Sequence, residues 1–226
     1  MRIGGIQKTS LLDFPNMISA IVFTKGCNFA CDYCHNPELF NSEAEYSTSE
    51  FFEFLNNRKG KLDGVVVTGG EPCLQPDLVD FIKQIKQMGF LVKLDTNGSF
   101  PDVLQNLLDE NLLDYIAMDI KAPLEKYNQI TNSLISTEKI KQSISLIMTS
   151  GVEYEFRTTV VKSQLNFEDF EKISELISGA KRYCLQKFIP SKTLNPSFIK
   201  EKTYKDEEFK RIKEILTCKI STVEVR

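Results

Sequence analysis

Six runs of apolar and β-branched residues punctuate the chain, at positions 18–24, 64–68, 91–96, 115–120, 153–161 and 182–188. Most are nearly continuous rather than alternating, which predicts strands buried on both faces, as in a parallel sheet. Between them the apolar spacing becomes helical. Pro76 opens one helix, with Leu78, Ile82 and Ile85 on one face and Gly89 at its end. Pro101 opens the next, which buries Leu104, Leu107 and Leu108. Ile140, Ile144 and Ile147 stripe a third that ends at Gly151, and Asn166 caps a fourth carrying Phe170, Ile173 and Ile177. Phe209, Ile212 and Ile215 mark the last, and a weaker helix is expected over 49–57 behind Thr48. Six strand–helix units in succession predict an α/β fold with a parallel sheet and outer helices. In such folds the chemistry sits where strands end and loops begin.

Composition adds little to that picture but removes some functions. The 226 residues are 42% hydrophobic and 26% charged, with a net charge of −3, as in a globular protein able to bury a core. Charges of both signs are interspersed, so nothing points to nucleic acid. No stretch approaches the ~18 consecutive apolar residues of a membrane span. The N-terminal segment lacks the basic-then-apolar pattern of a signal, so a cytoplasmic location is expected. Six cysteines in that compartment read as metal-binding or catalytic before they read as disulfides.

Three of the six lie within eight residues. The segment Lys25-Gly26-Cys27-Asn28-Phe29-Ala30-Cys31-Asp32-Tyr33-Cys34-His35-Asn36-Pro37 directly follows the first strand. A short loop with this C-x3-C-x2-C spacing can wrap three corners of a cubane iron–sulfur cluster, leaving the fourth iron open. Two other chemistries share the residues. Cys31 to His35 matches the C-x-x-C-H haem attachment pattern, which belongs to exported proteins. A zinc site of three cysteines plus His35 has suitable donors, but zinc usually recruits two separated pairs. Cys73, Cys184 and Cys218 are scattered and read as structural, and His35 as a loop hydrogen-bonder.

Later strand ends carry further polar groups. Thr68-Gly69-Gly70-Glu71-Pro72 follows the second strand, about 35 residues after the cysteines; its glycines let backbone approach a ligand, and Glu71 offers an acceptor for an ammonium. Leu94-Asp95-Thr96-Asn97-Gly98 ends the third strand and Met118-Asp119-Ile120-Lys121 the fourth. A charge at the end of a buried strand needs compensation, so Asp95, Asp119 and Lys121 are expected to converge, at the least as a structural Asp–Lys pair. Arg157 on the fifth strand suits a carboxylate, whether from a ligand or from a cross-strand ion pair. With one histidine in the chain and no Ser–His–Asp set, acid–base or nucleophilic catalysis is not indicated.

These residues together resemble the radical S-adenosylmethionine (SAM) superfamily, whose signature is C-x3-C-x2-C with an aromatic residue before the last cysteine, here Tyr33. The resemblance spans nearly the whole chain and implies one radical SAM domain over 1–226, folded as a partial (β/α)6 TIM-like barrel. It implies a 4Fe–4S cluster on Cys27, Cys31 and Cys34, with SAM on the open iron. Tyr33 would then lie near the adenine, and Gly69, Gly70 and Glu71 would hold the SAM amino group. Asp95, Asn97, Asp119 and Lys121 would line the SAM site, and Arg157 would meet its carboxylate or ribose. Gln186 and Phe188 would border the adenine. Asp95, Thr96 and Asp119 match positions that hold a monovalent cation in some relatives.

The implied reaction is reductive cleavage of SAM to a 5′-deoxyadenosyl radical that takes a hydrogen atom from the substrate. The segment Cys31-Asp32-Tyr33-Cys34-His35-Asn36-Pro37 is similar to that of glycyl-radical-enzyme activases, which implies a glycyl radical enzyme as protein substrate and a flavodoxin or ferredoxin as electron donor. Chain length and the opening Thr9-Ser10-Leu11-Leu12-Asp13-Phe14-Pro15 are most similar to the activases of anaerobic ribonucleoside-triphosphate reductase. Asp13-Phe14-Pro15-Asn16 stands where pyruvate formate-lyase activases carry D-G-P-G, which counts against that partner. A radical SAM enzyme acting on a small molecule or peptide is the other function these motifs allow.

Overall fold

The computed structural model describes residues 1–40 and 43–226, which form one eight-stranded sheet with helices packed against it. Six strands correspond to the apolar runs: β2 (Ser19–Thr24), β3 (Gly64–Gly69), β4 (Leu91–Thr96), β5 (Tyr115–Asp119), β6 (Glu153–Val160) and β7 (Arg182–Lys187). Two more, β1 (Ile3–Ser10) and β8 (Thr222–Val225), escape the hydrophobic pattern. The order is β1 through β8 in sequence, with β1 antiparallel to β2 and every later neighbour parallel. β1 and β8 are the two edges, so the sheet curls into a partial barrel without closing. β1 was illegible because an edge strand carries little core: Gln7, Lys8 and Thr9 are exposed, and Gly4 and Gly5 interrupt the apolar run.

The crossover helices bury the faces that the sequence marked. They are α1 (Thr48–Asn56), α2 (Leu78–Gln87), α3 (Pro101–Asp109), the short α4 (Tyr127–Thr131), α5 (Thr137–Thr149), α6 (Phe167–Leu176) and α7 (Asp206–Thr217). α1 begins one residue before the expected start, because Ser47 rather than Thr48 caps it in a reciprocal box with Glu50. α2 starts two residues after Pro76. Asn166 caps α6 as expected, with Asp169 completing the box.

Val22, Val65, Val67, Val92, Leu94, Ile116 and Met118 point to the helices and belong to the main core. The opposite, inner face carries a smaller apolar cluster of Phe14, Ile21, Val66 and Tyr115 at the N-terminal ends of the strands. Above that plug the inward positions turn polar, through Lys93, Asp95, Asp119 and Arg157. No helix among the described residues is long and apolar enough to cross a membrane.

Candidate active site

The cysteine loop leaves the C-terminal end of β2 and is pinned from several sides. Gly26 N–H donates to Leu39 O at 2.6 Å, and Glu71 N–H to Gly26 O at 2.9 Å. Ala30 N–H donates to Thr131 O at 2.8 Å, while Leu194 and Asn195 N–H donate to Cys34 O and Asp32 O at 2.9 and 3.0 Å. Asn28 is tied to Ser99 and Asn97 through side-chain bonds of 2.9 Å each. With its backbone groups committed to the post-β3, α4 and post-β7 segments and the Asn28 side chain to the segment after β4, the loop holds one shape.

That shape turns Cys27, Cys31 and Cys34 into a cavity of about 510 Å³ at the C-terminal ends of the strands. Burial pushes the Cys27 thiol up to about 12 and raises Cys31 as well. Neutral buried thiols become thiolates when a positively charged metal centre takes them as ligands. Phe29 N–H, 3.4 Å from Cys27 Sγ, is placed to stabilise that thiolate. Among the described residues no three His, Cys, Asp or Glu side chains converge on a point that would hold a single metal ion. The three thiols line one cavity from a single loop, and thiolates are the ligands that iron–sulfur clusters take at separate corners. His35 lines the same cavity but is held by Ser191 Oγ at 3.0 Å and by the Phe188 ring at 5.5 Å.

Gly69 and Gly70 line the cavity, and both need to be glycine. Gly69 has φ +122°, and a Cβ there would lie 2.2 Å from Thr24 N; one on Gly70 would lie 2.1 Å from Gly26 O. Glu71 lies beneath these two glycines. It is fully buried and outside the cavity wall. Its Oε1 accepts from Cys73 N–H and Thr96 Oγ1–H at 3.0 and 2.7 Å, and its Oε2 from Asn97 N–H at 2.6 Å. The carboxylate fastens the turn after β3 to the end of β4.

Asp95, Asp119, Lys121 and Arg157 converge, as the sequence implied. Arg157 Nη1 donates to Asp95 Oδ2 at 3.1 Å and its Nε to Asp119 Oδ1 at 3.0 Å. Lys121 Nζ donates to Asp119 Oδ2 at 2.9 Å and lies 5.9 Å from the buried Tyr33 ring. The fifth member, Lys93, is missed by the motif-based account: its Nζ meets Asp95 Oδ1 at 2.5 Å. A lysine inside an otherwise apolar strand was the available signal, since such a charge must be paired. Asp95, Thr96 and Asp119, the positions at which the resemblance allows a monovalent cation, lie together at the ends of β4 and β5 among these cations. All four carboxylate oxygens already hold a lysine or arginine, and Thr96 Oγ1–H points to Glu71. Asn97 lines the cavity, as does Gln186; Phe188 is buried beside His35 and does not.

Burial alone would raise Asp119, but Lys121 and Arg157 outweigh it and hold the carboxyl at about 2 against an ordinary 3.8. Asp95 is lowered in the same way, burial being overcome by Arg157 and Lys93. A carboxyl depressed in the folded state stabilises the fold fully above its unfolded value and loses that contribution as pH falls through the folded one. Stability should therefore decline from about pH 4 toward pH 2, and Asp119→Asn should flatten that decline. Denaturant midpoints measured across this range check it; equal slopes would contradict the assignment.

The family model of the radical SAM superfamily matches residues 21–177. A Methanocaldococcus jannaschii protein named as a glycyl-radical enzyme activating enzyme is 33% identical over 99% of this chain and 95% of its own length. A pyruvate formate-lyase-activating enzyme from Clostridium pasteurianum is 28% identical over 85% of this chain and 83% of its own. The crystal structure of a domain of a pyruvate-formate lyase-activating enzyme from Bacteroides vulgatus has the same fold, with a TM-score of 0.57 and 19% identity over 71% of this chain and 98% of that one.

Proposed function

Since the chain belongs to the radical SAM superfamily, and to its glycyl-radical-enzyme-activating relatives, we propose that it abstracts the Cα hydrogen of a glycine in a partner enzyme, an anaerobic ribonucleoside-triphosphate reductase. The observation that carries this is the convergence of three cysteines, two obligatory glycines and an ionic group of Asp95, Asp119, Lys121 and Arg157 on one cavity of about 510 Å³, a size suited to a nucleoside-sized ligand. The cluster and SAM together supply the chemistry when bound: one electron cleaves SAM to methionine and a 5′-deoxyadenosyl radical that takes the glycine hydrogen.

The chain's own residues bind, orient and exclude water. Cys27, Cys31 and Cys34 lose their protons on loading, so cluster uptake releases protons and favours higher pH. Lys121 and Arg157 face the cavity and receive the SAM carboxylate. The Gly69 and Gly70 backbone, freed of side chains, meets its amino group. Phe29, Tyr33 and Leu39 wall the cavity with buried apolar surface that keeps water from a reactive radical. The 226 residues act as one domain in the cytoplasm, with a flavodoxin or ferredoxin as reductant. The choice of partner rests on the segment 9–15 and on Phe14 and Asn16, which break the D-G-P-G pattern of pyruvate formate-lyase activases.

Anaerobic mixing of reconstituted protein, reductant, SAM and the reductase should produce a glycyl doublet in electron paramagnetic resonance. SAM cleavage that leaves every candidate glycyl radical enzyme without a protein radical would overturn the proposal.

A further inference from the structure

We infer that Lys93 is a positioning residue for the SAM carboxylate, acting through Asp95 and Arg157 without touching the ligand; this rests on SAM occupying the cavity as proposed above. Lys93 and Asp95 are two apart on β4 and share its inner face. Lys93 is 2% exposed and lies outside the cavity wall, whereas Asp95 and Arg157 are part of it. The side chains form a line of alternating charge, Lys93, Asp95, Arg157, Asp119, Lys121.

Two consequences follow from placing a lysine at the buried end of that line. First, Lys93 occupies Asp95 Oδ1, so Arg157 finds only Oδ2 and pairs through a single nitrogen, Nη1. Arg157 Nε is engaged by Asp119, and no bond to Nη2 is formed by either aspartate. Without Lys93, Asp95 would offer both oxygens to the guanidinium, and the two-toothed pairing that arginine favours would draw Arg157 away from the cavity. Second, along this line three cations meet two carboxylates, and the neighbouring buried carboxylate, Glu155, is paired with Arg226. The surplus positive charge is matched by the single negative charge of an incoming carboxylate. Neutralising Lys93 leaves a balanced set with no electrostatic demand for one. A buried lysine is an expensive group to keep, and Lys93 has the Tyr115 ring at 5.9 Å as its other polarisable neighbour.

The test compares wild type, Lys93→Met and Lys93→Arg in equilibrium binding of SAM and of 5′-methylthioadenosine, which keeps the adenosine and lacks the amino acid. Titration calorimetry on anaerobic protein with the cluster loaded but no reductant reads binding without turnover. Lys93→Met should weaken SAM about tenfold, the effect of one charge-assisted contact, and leave methylthioadenosine unchanged. Lys93→Arg should recover most of the SAM affinity. If Lys93→Met does not fold, Lys93→Gln keeps a donor to Asp95, removes the charge and serves the same comparison. SAM binding unchanged in the neutral variant, or an equal loss for both ligands, would overturn the inference. Failure of the wild type to bind SAM would instead overturn the assignment of the cavity.

Discussion

Cys31→Ala should abolish SAM cleavage and leave a colourless protein. The Cys31 side chain is buried at the edge of the main core, and its backbone is held independently of the sulfur. The turn it belongs to is closed by backbone, Cys34 N–H donating to Cys31 O at 2.9 Å, and that bond survives the substitution. The flanking anchors to Thr131, Leu194 and Asn195 are also backbone bonds to Ala30, Asp32 and Cys34. Loss of one sulfur should thus cost about 1 kcal/mol of stability and all of the cluster, because two thiolates cannot retain a cubane that needs at least three. Reconstitution followed by absorption near ~400 nm and by a SAM-cleavage assay measures both quantities. Cys218→Ala, on the exposed end of α7, should keep colour and activity. A brown, active Cys31→Ala protein would rule out the ligand assignment.

The second large effect is expected at Gly70→Ala. Its added Cβ would fall 2.1 Å from Gly26 O and 2.6 Å from Gly26 C, and 3.3 Å from Cys27 Cβ. Neither partner is a flexible side-chain end. Gly26 is held at both its N–H and its C=O, and Gly70 N–H donates to Thr24 O at 2.9 Å. Relief requires the β3 end and the cysteine loop to separate, which also breaks the Glu71 N–H to Gly26 O bond. Overpacking of this kind costs about 1–3 kcal/mol. The displaced atoms directly precede Cys27, so iron bound per chain should fall together with the denaturant midpoint. Gly5→Ala on β1 is the matched control, because its nearest new neighbour is a Phe23 side-chain carbon at 3.5 Å. Equal stability and equal iron content in Gly70→Ala and Gly5→Ala would show that the two segments do not pack as described.

Both predictions depend on a division of labour within the GGE segment. Gly69 and Gly70 bring two strand ends and the cysteine loop into backbone contact. Glu71 then clamps the result from beneath, its carboxyl raised by burial that the Asn97, Thr96 and Cys73 donors offset only in part. The glutamate preserves the geometry of the cavity floor, while the ionic line from Lys93 to Lys121 supplies the field above it.

The six buried strands were legible along the chain because a parallel strand covered on both faces must be apolar nearly throughout, and the helices because their buried stripes repeat with the helical period. Residue spacing likewise determined that Cys27, Cys31 and Cys34 share one loop, and that Asp95 and Asp119 close consecutive strands. Those are local properties, carried by covalent order and by one element's periodicity. The edge strands β1 and β8 were not legible, since their pairing is decided by which neighbour offers a free ladder rather than by their own apolar content. Nor could order along the chain tell whether Glu71 faces a ligand or the 96–97 turn, or that Arg157 would reach Asp95 across a separation of 62 residues and meet the oxygen that Lys93 leaves free. Such choices are settled by curvature and register of the curled, open sheet, which bring distant groups to within hydrogen-bond reach, and no single segment encodes them.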